Sequence, residues 1–279
     1  MKRTITSQLQ QAFLSHLLLE EKSNATISKY AHDLQVFASY LNGGEATKEI
    51  VLSYKAMLAK KYAVTSANSM IAALNSFFRY CGWSDLVVKQ FRIQREVFCP
   101  EERELSKEEY WRLVKAAEEK KDSRLSLILQ TICGTGIRIG ELAYITVEAV
   151  CKGEVRVNCK GKTRRIFIVS KLQKKLLKYA KAHSIKSGAL FITKSGKSIN
   201  RSVVWRAMKA LCAAARVSHT KVFPHNLRHL FARVFYSLEK DIVALADILG
   251  HASINTTRIY TVSTGEEHKR KMTLLHLIP

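Results

Sequence analysis

Apolar positions in the first part of the chain recur at three- and four-residue intervals. Leu9, Phe13 and Leu17 stand four apart, which places them on one helical face. Tyr30, Leu34, Phe37 and Leu41 form a second stripe. Asn24-Ala25-Thr26 can cap that helix and Gly43-Gly44 ends it. Val51–Tyr62 and Ser66–Tyr80 predict two more helices, and no strand-like alternation interrupts them. The pattern breaks at residues 96–104, EVFCPEERE, which hold Pro100 and four acids against one arginine. This stretch reads as a linker between a helical domain, residues 1–95, and a second domain, residues 105–279.

The second part opens on Ser106-Lys107-Glu108-Glu109, a capping-box pattern. Tyr110, Leu113, Val114 and Ala117 continue it as an amphipathic helix, and another helix runs from Leu125 to Cys133. Glu154–Asn158 and Arg165–Val169 are short β-like runs on either side of Cys-Lys-Gly-Lys-Thr, and so predict a hairpin. Leu190–Ile192 is a candidate third strand. Residues 201–215, 225–238 and 241–249 return to helical spacing. The fold class is therefore mainly α, with one small antiparallel sheet in the second domain. The chain ends on an apolar cluster of Met272, Leu274, Leu275, Leu277 and Ile278, which either folds back on its own domain or docks on a neighbour.

Charge narrows the function. Across 279 residues, 47% hydrophobic, the net charge is +23. A folded protein this basic points to a polyanion, because each neutralised phosphate releases counterions. Nucleic acid is the first candidate and an anionic membrane surface the second. Residues 1–95 carry +6 and residues 105–279 carry +20. No apolar run reaches the ~18–20 residues that span a bilayer. The opening MKRTITSQLQQAF reads as a helix rather than a signal peptide. Six scattered cysteines without a C-x-x-C pair point to reduced thiols in a cytoplasmic protein and away from zinc.

Four stretches of the basic part concentrate chemistry. In Thr135-Gly136-Ile137-Arg138-Ile139-Gly140-Glu141-Leu142, an arginine sits between two β-branched residues, with Glu141 three positions on to orient it. A surface arginine near a helix start explains that stretch equally well. Lys160 lies on the hairpin turn beside Gly161, where a lysine can reach a neighbouring site or can simply be solvated. In Phe223-Pro224-His225-Asn226-Leu227-Arg228-His229, Pro224 suits a first helical turn, and His225 and Arg228 share a face. That helix start favours an anion. In Leu249-Gly250-His251, the glycine ends a helix; Ser253 or Asn255 caps the next, and Tyr260 follows one to two turns later. Taken alone, Tyr260 reads as a packing residue. Taken together, these groups supply phosphodiester transesterification without a metal. Two guanidiniums stabilise the phosphorane, a histidine takes a proton, a phenol attacks and a lysine protonates the departing oxygen. No carboxylate cluster for Mg²⁺, P-loop or H-E-x-x-H appears.

Over nearly its whole length the chain resembles the tyrosine site-specific recombinases of the phage-integrase type, and in size the two-domain Xer-like group. TGIRIGEL resembles that family's first arginine box, PHNLRH its H-x-x-R box, and LGHASINTTRIY its closing histidine-to-tyrosine box. NATISKYAHDLQVFASYL and SANSMIAALNSFFRY resemble its helical, SAM-like core-binding domain. The resemblance implies a DNA breaking–rejoining fold and assigns roles. Arg138 and Arg228 hold the scissile phosphate. His225 is the general acid/base, and His251 hydrogen-bonds or activates the phosphate. Tyr260 is the nucleophile, leaving a 3′-phosphotyrosyl link. Lys160 is the general acid at the 5′ oxygen, with Lys162 its rival, and Glu141 supports Arg138. The hairpin departs from the family's usual G-K-G, reading Cys159-Lys160-Gly161, and an extra arm-binding domain before the helical one is not expected. No cofactor and no metal are implied. The expected partner is double-stranded DNA bearing inverted-repeat core sites, gripped by both domains in a homotetramer or in a heterotetramer with a related recombinase. A type IB topoisomerase and a non-catalytic DNA-binding protein are the alternatives.

Overall fold

The structure is a computed structural model that describes residues 3–93, 103–159, 162–193, 195–251, 253–260 and 273–274, the side chains of Cys159 and Lys162 excepted. It divides into two compact units, Met1–Arg95 and Glu96–Pro279.

Among the described residues the first unit holds four α-helices: α1 Ser7–Leu19, α2 Asn24–Leu41, α3 Lys48–Lys61 and α4 Val64–Tyr80. Their apolar stripes meet in one core around Phe13, Leu34, Phe37, Tyr54, Leu74 and Phe77. Ser23, rather than Asn24 or Thr26, caps α2; its Oγ accepts from the Thr26 N–H at 3.3 Å. Asn42, in the left-handed region, ends that helix one residue before Gly43-Gly44. Asn75 is buried on α4 and pairs with both the N–H and the carbonyl of Val88, so the chain leaving the helix returns along its side.

The second unit starts with α5 Lys107–Glu119 and α6 Ser123–Thr135. The Ser106/Glu109 capping box forms as read from the sequence. A 3-10 turn, Ile139–Tyr144, leads to α7 Val147–Lys152 and to the hairpin of β1 Glu154–Cys159 and β2 Lys162–Phe167. The register pairs Val155 with Ile166 and Val157 with Arg164. Then follow α8 Ser170–Ala182, α9 Arg201–Lys209, α10 Cys212–Ala215, α11 Pro224–Glu239, α12 Ile242–Leu249 and α13 Ile254–Thr257. The core gathers Leu113, Ile128, Ile132, Val155, Leu176 and Leu227.

Two expectations change. Leu190–Ile192 forms no third strand. Leu190 and Phe191 are buried in the core, and the segment makes only two isolated pairings, Thr146 with Ala189 and Ile192 with Ser198. Burial of its apolar side chains, not a ladder, explains its composition. Residues 201–215 break into α9 and α10 and stop at Arg216, whose backbone is left-handed. The expected linker falls almost entirely outside the described residues, and so does the terminal apolar cluster apart from Leu274, which is exposed. Where the chain is described again, the Arg103 carbonyl accepts from Asn226 at 2.9 Å, and Arg233 pairs with Glu104, so α11 anchors it. Among the described residues no helix is long and apolar enough to cross a membrane.

Candidate functional site

The site is built where four chain segments turn beside one another. The first turn follows α6. Gly136 leaves the helix at φ +65°, and a Cβ there would meet the Phe231 ring at 2.5 Å, so glycine is required. Arg138 then caps the 3-10 turn. Its N–H donates to Glu141 Oε2 at 2.9 Å and its Nη1 to Oε1 at 3.0 Å. Arg164, from β2, donates its Nη2 to the same Oε2 and its Nη1 to the Ile248 carbonyl at 2.7 Å. Glu141 is buried, which alone would raise its pKa. The Arg138 N–H and the two guanidiniums outweigh burial and hold the carboxyl below its ordinary value. The third hydrogen bond of Arg138 runs from Nη2 to the Gly250 carbonyl at 3.3 Å.

The second segment is the start of α11. Pro224 occupies its first turn, where a missing N–H costs nothing. His225 is exposed there, and one turn later Arg228 is 1% exposed. Arg228 donates Nη1 to the Gly136 carbonyl and Nη2 to the Leu249 carbonyl, the latter at 2.7 Å. Its Nε finds no hydrogen-bond partner among the described residues. No described carboxylate pairs with it either. Burial first, then Arg138 and Arg164, pull its pKa down to about 10, while the nearby Tyr260 hydroxyl acts in the opposite sense. Partial burial and then the same arginines lower the pKa of His225.

The last two segments carry His251 and Tyr260. α12 ends at Gly250, φ +63°, and Ser253 caps α13, so His251 is held in the tight turn between them. His251 Nε2 lies 3.1 Å from Arg228 Nη2, and Nδ1 lies 2.7 Å from Thr257 Oγ1. A guanidinium only donates, so Nε2 is the acceptor and the ring proton sits on Nδ1, facing Thr257. Burial first, then the neighbouring arginines, lower the His251 pKa to about 4, so the ring is neutral near pH 7. Tyr260 is 3% exposed and packs with Ala232, Leu245 and Leu249. Three imidazoles surround its ring. His251 stacks at 5.7 Å, His229 meets it edge-on at 4.5 Å, and His225 lies at 6.5 Å.

The structure thus brings together Arg138, Glu141, His225, Arg228, His251 and Tyr260. Beside them opens a cavity of about 480 Å³, walled by Arg138, Glu141, Tyr144, Asn158, His225 and Arg228. Lys160 lies outside the described residues, and of Lys162 only the backbone, paired with Cys159, is described. Three residues that sequence reasoning passed over belong to the site: Arg164, His229 and Thr257. Two had a legible signal. Arg164 falls on the inward face of β2 with Ile166 and Ile168, where a charge is out of pattern. His229 stands one turn after His225 on the same helix face. Thr257 had none, since its value depends on the turn that carries His251. Among the described residues no cluster of metal-binding side chains occurs.

A mainly helical unit with one small hairpin and a tyrosine caged by histidines and arginines defines a DNA breaking–rejoining enzyme class. Residues 103–267 match the phage integrase family, and residues 11–84 match its N-terminal SAM-like domain. The chain belongs to the phage integrase family, the tyrosine recombinases, which cut and rejoin DNA. It is 30% identical to tyrosine recombinase XerA of Pyrococcus furiosus over 99% of this chain and 97% of that one. A crystal structure of XerA recombinase superposes with a TM-score of 0.54 at 27% identity, covering 99% of this chain and 100% of that one. A lambda integrase tetramer bound to a Holliday junction shares the fold, with a TM-score of 0.75 at 17% identity over 93% of this chain and 77% of that one.

Proposed function

We propose that this chain is a site-specific DNA recombinase in which Tyr260 attacks the scissile phosphate, forming a 3′-phosphotyrosyl link and releasing a 5′-hydroxyl. The observation that carries the assignment is Arg228. It is a buried cation with no carboxylate partner among the described residues and with an unbonded Nε, beside Arg138 and Tyr260. A buried, uncompensated charge is costly unless an anion completes it, and a phosphate oxygen does so. Arg138 and Arg228 then hold the non-bridging oxygens as negative charge builds on them. His225, exposed on the cavity wall with a lowered pKa, takes the proton of the phenol. His251 directs Arg228 rather than exchanging protons, since its Nε2 already accepts from Arg228 and its Nδ1 proton is given to Thr257. Lys160 on the hairpin turn protonates the departing 5′ oxygen, with Lys162 as its rival. Because Tyr260 is almost fully covered, attack requires its ring to leave the histidine cage when DNA binds.

The remaining features fit the same reading. Residues 1–95 and 105–279 are the core-binding and catalytic domains joined by the 96–104 linker. The two grip duplex DNA at inverted-repeat core sites, four protomers pair two sites through a Holliday junction, and the protein works in the cytoplasm. The lambda integrase structure, a tetramer on such a junction, supports this assembly. Recombination serves integration and excision of a mobile element, or resolution of dimers.

Tyr260→Phe is expected to abolish covalent adduct on a nicked suicide duplex, while DNA affinity stays within about three-fold, because the hydroxyl acts only in the reaction. Adduct formed by the Phe variant would overturn the nucleophile. A two-site plasmid separates recombination from supercoil relaxation alone, which is the topoisomerase outcome.

A further inference from the structure

Arg164 lies on the wrong face of its strand for a charge. It points inward with Ile166 and Ile168, opposite Val157, and its side chain is 10% exposed. A guanidinium in such a place is costly unless its donors are met, and a valine would fill the same face without that cost. Its two terminal nitrogens are met by groups from different elements: Glu141 Oε2 on the 3-10 turn and the Ile248 carbonyl at the end of α12.

Arg138, by contrast, is 39% exposed and faces the cavity. Among the described residues two groups hold its guanidinium: Glu141 Oε1 at 3.0 Å and the Gly250 carbonyl at 3.3 Å. Arg164 stands behind both. It fixes the carboxylate of Glu141 through the opposite oxygen. It also packs its aliphatic shaft on Gly250, so closely that a Cβ on that residue would come within 2.3 Å of Arg164 Cδ. Arg164 is not among the residues that wall the cavity.

We infer that Arg164 is a positioning residue for DNA cleavage: by backing Glu141 and Gly250 it sets where Arg138 presents its guanidinium to the scissile phosphate. The inference rests on the reading of this site as a DNA-cleaving one. Arg138 serves the charge on a non-bridging oxygen, so the effect of Arg164 must track that charge. A methylphosphonate at the scissile position replaces one such oxygen by methyl and removes the charge, leaving the rest of the reaction in place.

The test compares full-length wild-type, Arg164→Met and Arg164→Lys proteins at saturating DNA. The probe is a nicked suicide duplex carrying the sequence that the wild-type protein captures covalently from a random library. One version has a scissile phosphodiester and the other a methylphosphonate. On the phosphodiester, Arg164→Met is expected to slow adduct formation on the order of 10- to 100-fold, the scale of a misplaced reacting group. On the methylphosphonate its loss relative to wild type is expected to shrink to about three-fold or less. Arg164→Lys keeps the buried charge but reaches only one of the two acceptors, so it falls between wild type and the Met variant. It also carries the comparison if the Met variant does not fold. Equal losses on both duplexes would make Arg164 a purely structural residue and overturn the inference. So would wild-type rates in both variants. Failure of the wild-type protein to form any adduct would overturn the functional reading itself and this inference with it.

Discussion

His251 is defined by what its two nitrogens face. Arg228 can only donate to Nε2, so the ring depends on Thr257 to accept the proton at Nδ1. Thr257 is fully buried and sits three residues before Tyr260, so through the His251 ring one hydroxyl links Arg228 to the turn that carries Tyr260. Thr257→Val keeps the shape and removes the acceptor, at about 1–3 kcal/mol for the donor left unpaired. The adduct-forming rate on a suicide duplex is expected to fall about ten-fold, one decade per ~1.4 kcal/mol, and Thr257→Ser is expected to restore most of it. Wild-type rates in the Val variant would show that the His251 ring is held by packing alone. At this scale the sequence was partly legible. Arg138, His225, Arg228, His251 and Tyr260 stand out through their motifs and spacing. Thr257 does not, because a threonine in a short helix looks like any other until the histidine is folded against it.

The hairpin and the 3-10 turn meet at Glu141, a carboxylate that serves two guanidiniums from different elements, and both of those guanidiniums also reach carbonyls at the end of α12. Its carboxyl is held below the ordinary 4.5, so folding favours its charged form. The stabilisation is complete above pH 4.5 and is lost as pH falls through the lower, folded value. Glu141→Gln is therefore expected to cost about 3 kcal/mol near pH 7, by leaving Arg164 partly unpaired. The gap to wild type should narrow steadily below pH 4.5. Chemical denaturation at a series of pH values checks this, and a gap that stays constant into acid would show that Glu141 acts through shape alone. The elements themselves were largely readable. Helical stripes, the Ser106 capping box and the hairpin follow from periodicity and capping chemistry. The third strand at Leu190–Ile192 did not form, because a short apolar run reads the same whether it pairs in a sheet or only fills a core.

Across the whole molecule, the excess of base over acid lies mostly in residues 105–279, at +20, the unit that holds the caged tyrosine. Such a charge predicts DNA binding driven by counterion release. For the intact chain on a non-specific duplex, the slope of log affinity against log salt is expected to be about −5, as for roughly six neutralised phosphates. A slope shallower than about −2 would place the charge away from DNA. The division into Met1–Arg95 and Glu96–Pro279 falls where proline and clustered acids interrupt the helical pattern.

By itself the sequence determined most of the elements, the excess positive charge and the candidate reacting groups, because periodicity, capping and motif spacing are local properties of the chain. Only the tertiary structure decided what those groups do to one another. Arg228 has no acidic partner among the described residues, His251 carries its proton on Nδ1, Tyr260 is covered, and Arg164 stands behind both supports of Arg138. Burial and hydrogen bonding between segments far apart in sequence set each of these, and no local pattern carries that information.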